Sequence, residues 1–238
     1  MDAYKNMIFS QSSIECFKKC PLRFKMRYLD KLNWKKDLDD EQKQKLEEGR
    51  LFHIVAHRYF AGIYNHNACI GDERIKEWVQ MLSKHFGFSD TKAYKPEYKV
   101  VVQYNNFILE ATYDLIEVSE EQIVIWDWKT SSDADKNIYS EKYKHILASS
   151  MQTFIYLFLA GKYFKCSCEK IKMNYWQPFD KKLICQIKYN NRLEEMYGAE
   201  IENTLNTIIK YDYDNFDKSL YLENCCRCEY EWICGSRK

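Results

Sequence analysis

Glycine and proline are scarce in this chain of 238 residues, at 7 and 3, which argues against long flexible linkers and low-complexity segments. No apolar run approaches the roughly 20 residues of a membrane-spanning helix. The opening Met-Asp-Ala-Tyr-Lys-Asn lacks the basic region and apolar core of a signal peptide. A soluble, cytoplasmic protein is expected. An excess of charge is missing too: the net value is +1, so there is no bulk attraction to nucleic acid, although local patches can supply one. One such patch is residues 18–36, with eight Lys or Arg against a single acid, Asp30. An acid-rich stretch from Asp37 to Glu48 follows it, and both runs also read as ordinary solvated helix faces.

What is abundant is apolar and aromatic. The hydrophobic fraction is 46%, with 19 tyrosines, enough for a sizeable core in one domain or a domain with an appended subdomain. Ten cysteines is a high count. The chain is neither short nor visibly secreted, so clustered thiols point to metal binding rather than a disulfide framework.

Along the chain, Ser10 to Tyr28 reads as a helix, with Ser12 and Glu15 as a capping box and a kink at Pro21. Glu41 to His66 carries the clearest helical stripe, from Phe52 to Ile63, and Asp72 to His85 reads as a second helix. Gly49 inside the stripe implies a close approach by a backbone or ligand. The period then changes. Glu97–Tyr104, Phe107–Val118 and Gln122–Lys129 read as an antiparallel meander, with Asn105-Asn106 as one turn. Ile146–Tyr163 and Arg192–Ile209 read as helices, Lys170–Gln177 and Leu183–Tyr189 as strands, and the tail after Tyr211 lacks regular patterning.

Residues two apart on a strand share a face, so Asp127 and Lys129 project together, with Trp126 and Trp128 opposite. A lone Asp-x-Lys occurs about once by chance in a chain of this size, and an ordinary ion pair explains it equally well. Asp114 sits in an otherwise apolar strand, where a carboxylate is costly unless paired or metal-bound; Thr112, Asp114 and Ile116 are expected on one face. Two carboxylates and a lysine on neighbouring strands suit phosphodiester hydrolysis. Carboxylates hold Mg²⁺, which activates water, and an ammonium steadies the developing charge.

Taken in order, these motifs resemble the PD-(D/E)XK nuclease superfamily, specifically its RecB-like branch. The Gly-x-x-x-His helix corresponds to Gly49 and His53, and the first acidic strand to residues 111–116. The Asp-x-Lys strand corresponds to Asp127-Trp128-Lys129 with Thr130-Ser131 following, and the Gln-x-x-x-Tyr helix to Gln152 and Tyr156. Position 111 is Ala where the family often has Gly, and position 113 is Tyr rather than Pro. Neither departure removes a catalytic group. The resemblance implies an α/β, restriction-endonuclease-like core, a central mixed sheet flanked by helices. It implies catalysis by Asp114, Asp127 and Lys129, Mg²⁺ or Mn²⁺ held by His53, Asp114 and Asp127, and DNA contacts from Gln152 and Tyr156. His57 has no counterpart in the motif and reads as structural.

Cys225, Cys228 and Cys234 form a compact three-thiolate set that needs one more ligand. Members of the same branch, the AddB-type recombination nucleases and the CRISPR-adaptation exonucleases, hold a [4Fe–4S] cluster between a Cys before an N-terminal Pro and three C-terminal Cys. Cys20-Pro21 and the C-terminal trio resemble that arrangement. Zinc is the competing occupant, and Cys16 and Cys226 are alternative ligands. Cys69, Cys166, Cys168 and Cys185 read as incidental thiols. The whole chain is then expected to be one nuclease domain, with 1–36 and 211–238 as an iron–sulfur subdomain. No helicase motifs are visible. The expected activity is exonucleolytic, on DNA with single-stranded character, alone or with a recombination, helicase or CRISPR-adaptation partner. The alternative from another class is a catalytically silent nuclease fold used for DNA binding or assembly.

Overall fold

The computed structural model describes residues 4, 6–34, 38–63, 73–130, 140–178 and 182–235; the side chains of 182–184, 226 and 227 lie outside that description. So do Lys35 and Lys36 of the basic run, His66 and Asp72 at the expected helix ends, Cys69 and Ser131.

The architecture is α/β, a mixed sheet flanked by helices. It grows around β3 (Phe107–Val118), whose alternating apolar residues are buried along its length. β2 (Ala93–Tyr104) pairs antiparallel with it through the turn at Asn105, whose φ of 52° suits a tight hairpin. On the other side of β3, β1 (Ile8–Ser10) pairs in parallel with Ile108–Glu110, and β4 (Ile123–Trp128) pairs antiparallel with Leu115–Val118. β5 (Ile171–Gln177) runs parallel to β4, and β6 (Lys182–Lys188) closes the sheet antiparallel to β5.

Two cores cover the two sides. In the first, α1 (Gln11–Lys19), α6 (Met151–Phe164) and α7 (Asn191–Lys210) enclose Ile14, Phe17, Ile155, Phe158 and Ile201 against β3 and β5. In the second, α3 (Asp40–Phe60) and α4 (Glu73–His85) enclose Phe52, Phe60, Trp78 and Leu82. Trp128 stacks on Phe60 at 8° between ring planes in this core, and Trp126 meets Phe86 edge-on.

Three local expectations change. The α1 capping box is Ser10 with Ser13, because β1 ends at Ser10 and the helix begins there. Past Pro21 the chain forms a short α2 (Pro21–Phe24) and a π turn, Lys25–Leu29, so the kink is present. The apolar run from Ile146 is two helices: α5 (Glu141–Ala148) ends at Ser149, and Ser150 caps α6 by accepting from Thr153 N. Paired serines compete locally for backbone groups, which breaks a helix that apolar periodicity alone would continue.

Candidate active site

Asp127 lies near the C-terminal end of β4, opposite Tyr175 of β5, and Lys129 N donates to Trp176 O at 2.9 Å just beyond. The stacked Trp126 and Trp128 fill the second core, leaving Asp127 and Lys129 on the other face. Lys129 Nζ is 2.6 Å from Asp127 Oδ2 and donates to Gln152 Oε1 at 3.0 Å; Gln152 Nε2 donates to Asp127 Oδ1 at 2.5 Å. The ammonium also lies 5.0 Å from the Tyr175 ring centroid. Asp127 is 4% exposed. Burial pushes its carboxyl up to about 6, helped by the Asp114 charge, and the neighbouring Lys129 charge does not overcome that. Its Oδ2 is held by the Lys129 ammonium and its Oδ1 by the Gln152 amide, so both oxygens of the buried carboxylate are engaged.

Asp114 is anchored from the neighbouring strand: its Oδ2 accepts from Trp128 N at 2.7 Å. Its Oδ1 lies 3.1 Å from His53 Nδ1, and Glu97 Oε1 lies 4.0 Å from the same nitrogen. Ligand atoms of His53, Glu97 and Asp114 all fall within 4.8 Å of one another. Burial opposes charge on His53, yet the hydrogen bond and charge of Asp114 overcome it and raise the imidazole above its usual range. Burial, then the Asp114 charge, raises the Glu97 carboxyl. His53 reaches the sheet because α3 comes close at Gly49, where an added Cβ would sit 2.8 Å from Thr130 Oγ1.

Glu97 is the residue that motif reading missed. It has φ 47° within β2, and no backbone pair joins it to Asp114 across the ladder. The faces of both strands change at this point. Tyr98 and Tyr113 pack in the first core, whereas Tyr94 and Leu115, of the same parity, pack in the second. Thr112, Asp114 and Ile116 therefore do not share one face: Thr112 is exposed while Ile116 is fully buried. Irregular strand pairs of this kind re-aim side chains. A signal was available. Equal steps back from Tyr104 and forward from Phe107, across the Asn-Asn turn, bring Glu97 opposite Asp114.

Gln152 and Tyr156 share one face of α6, as their spacing predicts. The Gln152 amide closes the Asp127–Lys129 triangle, whereas Tyr156 OH donates to Thr112 O at 2.8 Å. Burial raises the Tyr156 phenol, so it stays protonated.

The Glu97 and Asp114 carboxylates and the His53 imidazole fit a hard divalent cation, whereas the expected third ligand, Asp127, lies outside that close group with its oxygens on Lys129 and Gln152. Ligands must shed protons to bind it. Mn²⁺ affinity is therefore expected to fall as pH drops from about 8 to about 5, most steeply below the Asp127 value of about 6. Calorimetric titrations across that range check this; a flat affinity would remove Asp127 from the ligand set. In the metal-free protein the same shift has the opposite sense for folding. The folded state holds the proton more tightly than the unfolded chain, so stability falls as pH rises from the ordinary aspartate value of 3.8 toward about 6.

A separate cavity is lined by Cys20, Cys225, Cys228 and Cys234, together with Arg23 and Tyr230. Cys20 ends α1 and its sulfur caps α2, accepting from Arg23 N at 3.5 Å. A 3₁₀ segment, Lys218–Arg227, carries Cys225 in the tail. Three contacts join the two ends here: Arg23 Nη2 lies 2.6 Å from Glu229 Oε2, Asn224 Nδ2 donates to Lys19 O at 2.9 Å, and Tyr230 OH donates to Leu32 O. Cys16 is buried with its thiol pushed up to about 11, chiefly by desolvation. Cys168 is buried, and Cys166 and Cys185 are half-buried.

Comparison with known proteins bears on the fold and family. No curated protein matched the sequence. Among solved structures, one named "putative exonuclease", from Eubacterium rectale, superimposes with a TM-score of 0.50 at 12% identity over 95% of this chain and 89% of that one. The structure of SSO0001 gives a TM-score of 0.43 at 16% identity, over 98% of this chain and 88% of that one. At 12% identity the likeness to the first concerns fold alone. The sequence comparison goes further: the family described as the PD-(D/E)XK nuclease superfamily matches residues 8–99 and 68–235. With that match spanning most of its length, the chain belongs to the PD-(D/E)XK nuclease superfamily.

Proposed function

We propose that this nuclease hydrolyses DNA phosphodiester bonds, working as an exonuclease on DNA with single-stranded character. His53, Glu97, Asp114 and Asp127 hold Mg²⁺ or Mn²⁺, and Lys129 is the catalytic ammonium. The observation that carries this reading is the convergence of His53, Glu97 and Asp114 beside the buried Asp127–Lys129 pair. A divalent cation in this set activates water and offsets the charge on the scissile phosphate. The chain supplies the rest. Lys129 donates toward the reacting oxygens, Gln152 holds that ammonium in place, and Trp128 N fixes the Asp114 carboxylate. Glu97→Gln keeps the side chain's size but removes a charged ligand. It is expected to weaken Mn²⁺ binding by more than the roughly 10–100-fold typical of outer-shell changes; unchanged affinity by calorimetry would return Glu97 to a structural role.

The same proposal places a [4Fe–4S] cluster on Cys20, Cys225, Cys228 and Cys234, making residues 1–36 and 211–238 an iron–sulfur subdomain of one nuclease domain. What supports it is the single cavity these thiols line. The tail is stapled to a basic N-terminal segment that could guide a DNA strand, in a cytoplasmic repair, recombination, phage or CRISPR-processing role.

The test is an anaerobic preparation analysed for iron and sulfide, then assayed on end-labelled single- and double-stranded DNA with Mg²⁺ or Mn²⁺. Stepwise shortening from an end is expected, with single-stranded ends preferred. Cutting of circular single strands would make it an endonuclease. Intact DNA under every condition would favour a silent DNA-binding or assembly subunit.

A further inference from the structure

We propose that Arg50 and His57, flanking His53 on α3, hold the DNA phosphates on either side of the one at the metal site, and that Glu47 restrains Arg50 until DNA arrives. This rests on the nuclease reading above. Neither residue has a part in the metal set or in the Asp127–Lys129–Gln152 triangle, yet both face the site. A cavity of about 410 Å³ beside the metal ligands is lined by Arg50, His53, Ile54, His57 and Glu97. His57 is close enough to Glu97 to act on its carboxyl electrostatically.

Helix geometry sets the spacing. Residues 50, 53, 54 and 57 form one stripe of α3. At 1.5 Å per residue Arg50 lies about 4.5 Å before His53, and His57 about 6 Å after it. Steps of that size are on the order of one nucleotide repeat, so a strand lying along α3 with one phosphate at His53 brings its neighbours to Arg50 and His57. The chemistry matches phosphate rather than base. A guanidinium fork pairs two non-bridging oxygens, an imidazole N–H donates one hydrogen bond, and the remaining lining residue, Ile54, offers no stacking surface.

In the free protein Arg50 is engaged. Its Nε donates to Glu47 Oε2 at 2.8 Å and its Nη2 to Glu47 Oε1 at 2.6 Å, with the two side chains 60% and 52% exposed. Exposed pairs of this kind contribute little, so an incoming phosphate can exchange with the Glu47 carboxylate. Glu47 then acts as a competitor, and removing its charge favours DNA.

The experiment measures anisotropy of a labelled single-stranded DNA oligonucleotide in the Lys129→Ala background, which suppresses cutting. Adding Arg50→Ala is expected to weaken binding about tenfold near 0.1 M salt and to make the log K against log[salt] slope shallower by about 0.7, one phosphate contact. Arg50→Lys restores the slope but only part of the affinity, because the fork is gone. His57→Ala weakens binding severalfold. Glu47→Gln tightens it, and has no effect once Arg50 is Ala. An unchanged slope in Arg50→Ala, unchanged affinity in His57→Ala, or an equal effect of Glu47→Gln in both backgrounds overturns the phosphate track. Failure of the Lys129→Ala parent to bind DNA at all overturns the nuclease reading together with it.

Discussion

Lys129→Ala is expected to lower kcat for DNA hydrolysis by about 10²–10³-fold or more, the range seen when a single preorganised donor to developing charge is removed. The larger end is favoured because the ammonium has two tasks. Besides facing the reaction, it is the cation beside an Asp127 carboxyl already pushed up to about 6 by burial. Without Lys129 that carboxylate is an uncompensated buried charge, and it responds by holding its proton to still higher pH. Two readouts therefore move together: kcat falls, and Mn²⁺ affinity at neutral pH weakens. Raising the pH should recover part of the metal affinity but little of kcat, since ionising Asp127 does not replace the donor. Lys129→Arg keeps the charge with a different geometry and should recover metal affinity more than turnover. Cleavage equal to wild type in Lys129→Ala, with end-labelled DNA as substrate, would remove the proposed mechanism.

The geometry around Lys129 also shows what the sequence could convey. Strong alternation in residues 107–118 and 123–128, and the Asn-Asn turn before them, made the second and third strands of the meander legible to within a residue, whereas β2 begins at Ala93, four residues before the expected Glu97. Alternation also put Asp127 and Lys129 opposite the tryptophans. The resemblance added His53 and Gln152, and the structure brings both to the same place as Asp114 and Asp127. Three things were hidden for physical reasons. β1 has only three residues and takes its identity from pairing with Ile108–Glu110, a contact distant in sequence. The Ser149–Ser150 break lies inside an apolar run, where periodicity continues across a cap. Glu97 depends on a positive φ that moves its side chain out of strict alternation, and pattern reading assumes that alternation. It was within reach only through the register of the hairpin.

Loss of the proposed cluster should have the largest effect on stability. Iron removal, or Cys228→Ser, is expected to lower Tm by about 10–20 °C. The reasoning starts from chain entropy. Tying residue 20 to residue 225 closes a loop of some 200 residues, which by analogy with a disulfide stabilises by roughly 5 kcal/mol before strain; each kcal/mol moves Tm by about 2–4 °C in a chain of this size. The other contacts between the ends do not substitute for it. Asn224 to Lys19 O is an exposed hydrogen bond, and the Arg23–Glu229 pair is buried, so its attraction is largely offset by desolvation. Those contacts depend on the tail being in place. If the tail detaches, Tyr230 leaves a site where it is 1% exposed, and Glu229 and Arg23 return to water. Burial raises the thiols of Cys20 and Cys228, so the metal-free protein keeps them protonated and cluster assembly must release protons. Cys166→Ser, half-buried and outside the cavity, should leave Tm within a few degrees of wild type. Calorimetry with iron and sulfide analysis on the same samples decides the matter. An unchanged Tm after complete iron removal would sink the staple, and stoichiometric zinc in place of iron would reassign the four thiolates to a tetrahedral site.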